Sequence, residues 1–343
     1  MGVVVNKSRN FLMALVALIS LAIAGYFAVG YFKKSDAKTM DDPMRIGITL
    51  TGDSIPAIIA TEKGFFKAEG LTPTVSYYPY GAISLNNLLD GNVDLAMVAE
   101  TPLIVQSFKR NDFAVIANIS STYQSRKIVG LTGNGIHSLE DLRGKRIGVL
   151  RNTSAHYFLE ILLQENRIPL KEIRLVFIKE DEAPLALKDG RVDAIAAFEP
   201  YPAIIQSQWP PGDLWVTDGD GRVRTAFSYV LKREYLNTHQ EVAKKVIKAT
   251  NKAIEWMNLH EDETIAISSR VLKIDPKLMK QIYSSYAFGV GIDEVFLLGM
   301  RQQAQWYQSS DPKLTELKIP RYVDYVDPAA LLETFPRTVH YAR

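Results

Sequence analysis

A short segment that occurs twice is the feature that most limits how this sequence can fold. Residues 90–94 read Asp-Gly-Asn-Val-Asp, and residues 189–193 read Asp-Gly-Arg-Val-Asp. Each copy continues through five apolar residues to a glutamate, which is Glu100 in the first copy and Glu199 in the second. The glycine is typical of a helix end, and the apolar run after it is typical of a short buried strand. The two glutamates are therefore expected at the carboxyl ends of two equivalent strands.

A second repeated motif precedes the first. Arg-Ile-Gly begins at Arg45 and again at Arg146, and each copy leads shortly to a serine that can cap a helix, Ser54 or Ser154. The chain is thus predicted to contain two lobes that share one plan, strand–helix–strand–helix–strand. The two copies should superpose with Ser54 matched to Ser154, and their strand orders should agree.

The segments between and after the repeats predict how the chain moves between the lobes. Two strands, 113–119 and 127–131, lie between the copies, where a crossover is expected, and a strand at 226–231 can return the chain to the first lobe. The predicted fold class is α/β, with two lobes and two crossovers. The predicted boundaries are 1–43 for an N-terminal segment with its linker, 44–127 and 225–343 for the first lobe, and 128–224 for the second lobe.

Three local signals complete the secondary-structure prediction. Thr101 followed by Pro102 indicates a helix start, and residues 238–241 read as a capping box before a helix with an apolar face. Residues 218–221, Asp-Gly-Asp-Gly, predict a hairpin turn. They do not match a calcium loop, because position 229 is tyrosine where such a loop needs its closing glutamate.

The N-terminal region predicts export. Residues 11–32 contain no charged side chain and are flanked by basic residues, so they can span a bilayer as one helix. The alternative is a signal peptide that is cleaved after an Ala-x-Ala site. In both cases we expect a periplasmic or otherwise extracytoplasmic protein, anchored to the cytoplasmic membrane if the segment is not cleaved.

Composition excludes several classes of function. A formal net charge of +2 is too small to indicate nucleic acid as a partner, and the sequence contains no cysteine. Disulfides, thiolate metal sites, cysteine nucleophiles and a lipid-modified N-terminal cysteine are therefore excluded. We predict a monomer without a cofactor or a metal site.

The ligand site is predicted between the lobes, where the carboxyl ends of the strands meet the helix starts. Helix N-termini favour anions, while a carboxylate such as Glu199 favours an amine or N–H donor, so a small solute with both characters fits best. Glu100 and Glu199 could instead be helix-start residues, and Asp94 and Asp193 are interpreted as turn residues rather than as an acid–base pair. The predicted ligand-binding residues are Thr51, Asp53, Ser54, Tyr80, Glu100, Thr101, Asn152, Thr153, Ser154, His156, Glu199 and Tyr201.

A series of motifs in a fixed order carries a family resemblance. They are Lys-Gly-Phe-Phe-Lys-Ala-Glu-Gly-Leu at 63–71, the first Gly-x-Val-Asp strand with Thr-Pro at its end, Asp-Leu-Arg-Gly-Lys-Arg-Ile-Gly-Val at 141–149, and the second Gly-x-Val-Asp strand, which ends in Glu-Pro-Tyr at 199–201. Over about residues 44–260 the chain resembles the solute-binding proteins of ABC importers in the sulfonate, taurine, nitrate and thiamine-precursor group.

The resemblance implies a type II periplasmic-binding-protein fold that closes on a small solute between its lobes, with the permease subunits of an ABC importer as partners. One relative in this group, the pyrimidine synthase of thiamine biosynthesis, is an enzyme, but it carries a cysteine-rich motif that this chain lacks. We therefore expect no enzymatic activity. The alternative function is a membrane-tethered ectodomain that senses a ligand and acts through a partner protein.

Overall fold

The structure is a computed structural model that describes residues 42–179 and 182–341. The predicted membrane or signal segment, 11–32, lies outside the described residues. Within the described part of the chain, no helix is both long enough and apolar enough to cross a bilayer.

Twelve strands and thirteen α-helices make up the described chain. The strands are β1 Asp42–Thr49, β2 Leu71–Tyr78, β3 Leu95–Ala99, β4 Phe113–Thr122, β5 Arg126–Leu131, β6 Arg146–Val149, β7 Arg174–Phe177, β8 Ala194–Phe198, β9 Leu214–Thr217, β10 Thr225–Lys232, β11 Ala287–Asp293 and β12 Val339–His340. The helices are α1 Ile55–Glu62, α2 Phe65–Ala68, α3 Gly81–Leu89, α4 Glu100–Ser107, α5 Ser154–Glu165, α6 Ala183–Lys188, α7 Tyr201–Ser207, α8 Arg233–Thr238, α9 Gln240–Leu259, α10 Glu261–Leu272, α11 Pro276–Ser284, α12 Glu294–Ser310 and α13 Ala329–Thr334.

The strands form two sheets, one in each lobe. The first lobe has seven strands in the order β12-β11-β4-β10-β3-β1-β2, and the second has five in the order β7-β6-β8-β5-β9. In each sheet the repeated unit forms three parallel strands in the same order, β2-β1-β3 and β7-β6-β8, and an antiparallel strand follows, β10 or β5. The strand orders of the two copies agree, as the sequence predicts. The chain passes between the sheets at 123–125 and at 218–224.

An identical ion pair locks the repeated turn in each lobe. The Arg45 backbone N–H and Nε donate to Asp94 Oδ2 at 2.8 Å and 3.1 Å. Arg146 makes the same two bonds to Asp193 Oδ2, at the same distances. Gly91 and Gly190, which precede these aspartates, have φ angles of 81° and 64°, where glycine is strongly favoured. Asp94 and Asp193 thus tie the turn before β3 or β8 to the start of the neighbouring strand, β1 or β6.

Apolar clusters bury both faces of the second sheet. Along β8, Ala196 and Phe198 face a cluster with α5, whereas Ile195 and Ala197 face a cluster with α6 and α7. A strand that is buried on both faces reads as a continuous apolar run, which explains the sequence after each repeated turn. In the first lobe, α9 packs the predicted apolar face into the core, with Val242, Val246, Ala249, Ala253 and Met257 buried.

The predicted helix caps are wrong at four positions, because each hydroxyl finds another partner. Ser54 bonds the Thr49 hydroxyl at 2.6 Å, and Ser154 accepts from Arg126 at 3.0 Å. Thr101 lies inside α4, which begins one residue earlier, and donates to a glutamine of α12. The capping box is also absent, since Thr238 donates to backbone carbonyls of the helix that precedes it.

The predicted hairpin at 218–221 is also wrong. These residues join β9 of the second sheet to β10 of the first, so the flanking strands do not pair. Gly219–Gly221 is a single 3₁₀ turn, and the Asp218 carboxylate accepts from the Asp220 backbone N–H at 3.1 Å. The segment is thus part of the second crossing between the lobes.

Candidate functional site

A cavity between the two lobes contains about 310 Å³ of empty space, part of it open to solvent. This interlobe cavity lies at the carboxyl ends of β1, β3, β6 and β8, as expected for an α/β fold. Only about 20 Å³ of it is open to the centre of a water-sized sphere, which is room for about one water molecule, so the two lobes lie close together around it. The lining residues are Thr51, Asp53, Tyr80, Gly81, Ala82, Ala99, Pro102, Arg126, Thr153, Ser154, Phe198 and Phe227.

Arg126 is the cation of the interlobe cavity. It is the first residue of β5, and only 4% of its surface is exposed. Its Nε donates to Ser154 Oγ at 3.0 Å, and its Nη1 donates to the Ser125 hydroxyl. A buried guanidinium carries a large desolvation cost unless charged or polar partners surround it. Arg126 therefore favours an anionic group in the cavity.

Asp53 is a buried carboxylate whose hydrogen bonds are incomplete. It is 1% exposed, and its Oδ1 lies 3.5 Å from Arg126 Nη1, an ion-pair distance without a hydrogen bond. Its Oδ2 receives only a long bond from the Tyr286 hydroxyl, at 3.5 Å. Burial raises the pKa of Asp53, and Arg126 opposes this shift. Such a carboxyl group would gain from a donor on a bound ligand.

Helix N-termini and aromatic rings form the rest of the wall. Helix α3 begins at Gly81 and helix α5 begins at Ser154, and both residues line the interlobe cavity. The free backbone N–H groups in the first turn of each helix attract anions. Phe198 supplies an apolar surface and contacts the Tyr80 ring, with centroids 6.3 Å apart. The arrangement suits a small molecule with an anionic head and a short apolar part.

Five of the twelve predicted ligand-binding residues line this cavity. Thr51 and Asp53 come from the turn after β1, Tyr80 precedes α3, and Thr153 and Ser154 begin α5. Thr153 donates its hydroxyl to the Leu150 carbonyl at 2.8 Å, which fixes the turn before the helix.

Glu199 does not line the interlobe cavity. It is 1% exposed, accepts from Lys127 Nζ at 2.7 Å and accepts from the Ala203 backbone N–H at 3.1 Å. These contacts are those of a helix-start carboxylate paired with a lysine of the adjacent strand. The sequence left open that Glu199 is a helix-start residue, and its contacts favour this role.

Glu100 also lies off the interlobe cavity, although it matches Glu199 in the repeat. Its Oε1 accepts from the Ala226 backbone N–H at 2.7 Å, while Oε2 has no hydrogen-bond partner among the described residues. Burial raises the pKa of Glu100 to about 7, against the opposing charges of Arg126 and Arg224. Glu100 thus joins β3 to the strand that returns from the second lobe.

The other five predicted residues do not line the interlobe cavity. Ser54 and Thr101 make the hydroxyl contacts described above, and the Tyr201 ring packs edge-on against Phe198 at 6.1 Å. The Asn152 backbone N–H donates to His156 Nδ1 at 3.3 Å, and His156 Nε2 lies 3.0 Å from Glu160. Within the described ranges, no group of three or more acidic or histidine side chains could hold a metal ion.

Arg126 is the residue that sequence reasoning missed. It was assigned to the loop between two predicted strands, whereas it begins the second of them. One feature of the sequence could have indicated Arg126 as a site residue: it is a basic residue directly before an apolar strand, at the first crossing between the lobes. Phe227 was missed for a similar reason, because it lies in the return strand of the first lobe, and not in a repeated unit.

The sequence matches a family described as NMT1/THI5 like over residues 51–264. A Bacillus subtilis (strain 168) protein named for the binding of aliphatic sulfonates is 26% identical over 279 residues, which is 80% of this chain and 82% of that protein.

Two solved structures show the same fold. The alkanesulfonate-binding protein SsuA from Xanthomonas axonopodis pv. citri, bound to MOPS, superposes with a TM-score of 0.74 at 18% identity and covers 83% of this chain and 98% of its own. The desulfurization enzyme DSZB superposes with a TM-score of 0.63 at 15% identity, over 86% of this chain and 99% of its own. The two-lobe α/β fold of periplasmic binding proteins is therefore confirmed, and it is shared by a binding protein and by an enzyme.

Proposed function

This chain belongs to the NMT1/THI5-like family, and from that premise we propose that it is an extracytoplasmic solute-binding protein of an ABC importer that captures a small organic sulfonate. The observation that carries the proposal is the buried Arg126, which meets the N-termini of α3 and α5 in one cavity between the lobes. The permease subunits of the importer are its proposed partners. Residues 11–32 are its proposed membrane anchor.

A sulfonate matches the polar groups of this cavity because it is a permanent anion with three oxygen acceptors. The forked guanidinium of Arg126 can donate to two oxygens, and the N–H groups of a helix start can serve the third. The aromatic wall formed by Tyr80 and Phe198 suits the short carbon chain of such a solute. The B. subtilis relative named for aliphatic sulfonates supports this solute class over nitrate or a thiamine-precursor pyrimidine.

Binding without catalysis is proposed because the cavity lining lacks a nucleophile paired with a base. Thr153 donates its hydroxyl to a backbone carbonyl, and Ser154 accepts from Arg126. The sequence has no cysteine to act as a thiol nucleophile. The likeness to a desulfurization enzyme concerns the fold alone.

The proposed function is tested by calorimetric titration with ethanesulfonate, taurine, nitrate and an aminopyrimidine. We expect ethanesulfonate or taurine to bind, and Arg126→Gln to weaken that binding by about 10- to 100-fold, the range of a charge-assisted hydrogen bond. Arg143→Gln is the matched control, because Arg143 is a surface arginine of the second lobe paired with Glu172. Binding of the pyrimidine alone, or equal affinity in the Arg126 variant, would contradict the proposal.

The same titrations decide whether Asp53 recognises an amine. Taurine is ethanesulfonate with an added ammonium group, so the pair isolates one contact. If Asp53 accepts from that ammonium, Asp53→Asn should reduce the preference for taurine by about tenfold or more. Glu199→Gln makes the same change of charge at a carboxylate that already has a lysine partner, and it should leave both affinities unchanged. If the Asp53→Asn variant keeps the wild-type preference for taurine over ethanesulfonate, Asp53 does not bind the ammonium group.

A further inference from the structure

The two lobes make a second direct contact through one tryptophan. Trp306 belongs to α12 of the first lobe, and its Nε1 donates to Glu160 Oε2 of α5 in the second lobe, at 2.8 Å. The other carboxylate oxygen of Glu160 lies 3.0 Å from His156 Nε2. One carboxylate therefore accepts a hydrogen bond from an indole of one lobe and lies beside an imidazole of the other.

Aromatic packing surrounds this hydrogen bond. The Trp306 ring meets the rings of His156 and Tyr157 edge-on, with centroids 5.4 Å and 5.3 Å apart. Trp306, His156 and Tyr157 are 8%, 6% and 8% exposed, so the contact excludes most water. Tyr157 packs within the apolar core of the first lobe, although its helix belongs to the second. Edge-to-face pairs of this kind contribute beyond their buried area.

Helix α5 connects this contact to the interlobe cavity. Its first residue, Ser154, lines the cavity and accepts from Arg126, while His156, Tyr157 and Glu160 follow within the next two turns. Phe158 and Leu162 on the opposite face are buried in the core of the second lobe. The helix is therefore fixed to the second lobe, and it carries a cavity-lining residue at its start and residues that contact Trp306 beside it.

We propose that Trp306 is a positioning residue for solute binding, which holds α5 against the first lobe through Glu160, His156 and Tyr157 and so slows escape of the solute. The inference rests on the proposed function for its solute, and on the structure alone for the contact between the lobes. Trp306 does not line the interlobe cavity, so its effect passes through α5. Linkage then requires that a bound solute also strengthens the contact at Trp306.

The test compares Trp306→Phe with Trp256→Phe. Trp256 is the matched control because it lies within the first lobe on α9, where it stacks on His260 at 4.5 Å. Without solute, X-ray scattering should show Trp306→Phe to be more extended than the wild type and the control. With ethanesulfonate, stopped-flow measurements should show dissociation about tenfold faster and association unchanged, since the variant loses one hydrogen bond to a charged group.

A second variant keeps the proposal testable if Trp306→Phe does not fold. Glu160→Ala removes the acceptor without changing the core, and it should reproduce both effects. If scattering and dissociation of the folded variants equal those of the wild type, the proposal is overturned. Wild-type protein that binds no sulfonate would instead refute the proposed function, while the scattering comparison without solute would still decide the role of Trp306.

Discussion

Glu100 is a buried carboxyl group whose second oxygen has no hydrogen-bond partner among the described residues. Burial raises its pKa to about 7, so the folded protein binds this proton more tightly than the unfolded chain does. The stability that protonated Glu100 provides is fully present below the ordinary pKa of a glutamate. It is lost as the pH rises through about 7.

Replacement of Glu100 by glutamine should therefore remove a pH dependence of stability. The variant keeps the acceptor for the Ala226 N–H but carries no charge at any pH. At pH 8 its free energy of unfolding should exceed that of the wild type by about 1–3 kcal/mol, and at pH 5 the two should be similar. Denaturant unfolding at both pH values measures this. The prediction would be contradicted if Glu100→Gln and the wild type differed in free energy of unfolding by the same amount at pH 5 and pH 8. It would also be contradicted if the surface variant Glu172→Gln showed the same pH-dependent difference from the wild type.

The partners of individual side chains could not be predicted from the sequence. The repeat predicted which strand ends carry carboxylates, but it did not predict their partners. Lys127 pairs with Glu199, whereas Asp53 faces Arg126 across the interlobe cavity. These contacts join residues that are far apart in sequence, and they depend on the packing of two lobes. Local pattern therefore indicates where a charge lies and not whether a neighbour neutralises it.

At the scale of elements, the repeated turn is the feature that local sequence specified best. The Arg45–Asp94 and Arg146–Asp193 pairs show the same bonds at matched positions, so one arrangement is used twice. Arg146 lowers the pKa of Asp193, mainly through the side-chain hydrogen bond. The stability from this contact is present above the ordinary pKa of an aspartate and is lost as the pH falls through the lowered value.

We expect Asp193→Asn to lower the free energy of unfolding by about 1 kcal/mol at pH 7, because the arginine of this pair is largely exposed and solvent screens the interaction. Asp94→Asn should have a similar effect in the first lobe. Asp189→Asn changes an exposed residue of the same turn and serves as the control. Denaturant unfolding measures all three, and an Asp189 variant as unstable as the Asp193 variant would show that the bonds to Arg146 are not the cause.

The sequence predicted well the strands that an apolar run defines. It predicted poorly the helix caps, which depend on the partner that a hydroxyl group finds. The apolar runs placed β3 and β8 within two residues of their starts. The caps at Ser54 and Ser154 failed because both hydroxyls are buried beside other polar groups, which compete for them. Strand β11 was not predicted, since its glycine-rich sequence alternates weakly and its partner β4 is far away in the sequence.

In the whole molecule, two crossings join the two lobes, and the interlobe cavity lies between them. The chain crosses between the sheets at 123–125 and at 218–224, and the first crossing lies a few residues before the boundary of 127 that the sequence predicts. Among the side-chain contacts that span the lobes are those of Arg126 with Asp53 and of Trp306 with Glu160. A rotation at the crossings would open the interlobe cavity and separate both pairs.

A solute that binds both lobes should therefore favour the closed arrangement. In the wild type, saturating ethanesulfonate or taurine should shift X-ray scattering toward a more compact particle and raise the thermal midpoint, because the solute binds only the folded protein. At a solute concentration of 100 times Kd, the added stability is about 2.7 kcal/mol. Because Arg126→Gln is expected to bind about 10- to 100-fold more weakly, its added stability at that concentration should fall to about 0.4–1.4 kcal/mol, and its scattering should change less. If calorimetry detects binding to the wild type while its scattering stays unchanged, the lobes do not close on the solute, and the cavity is a preformed site.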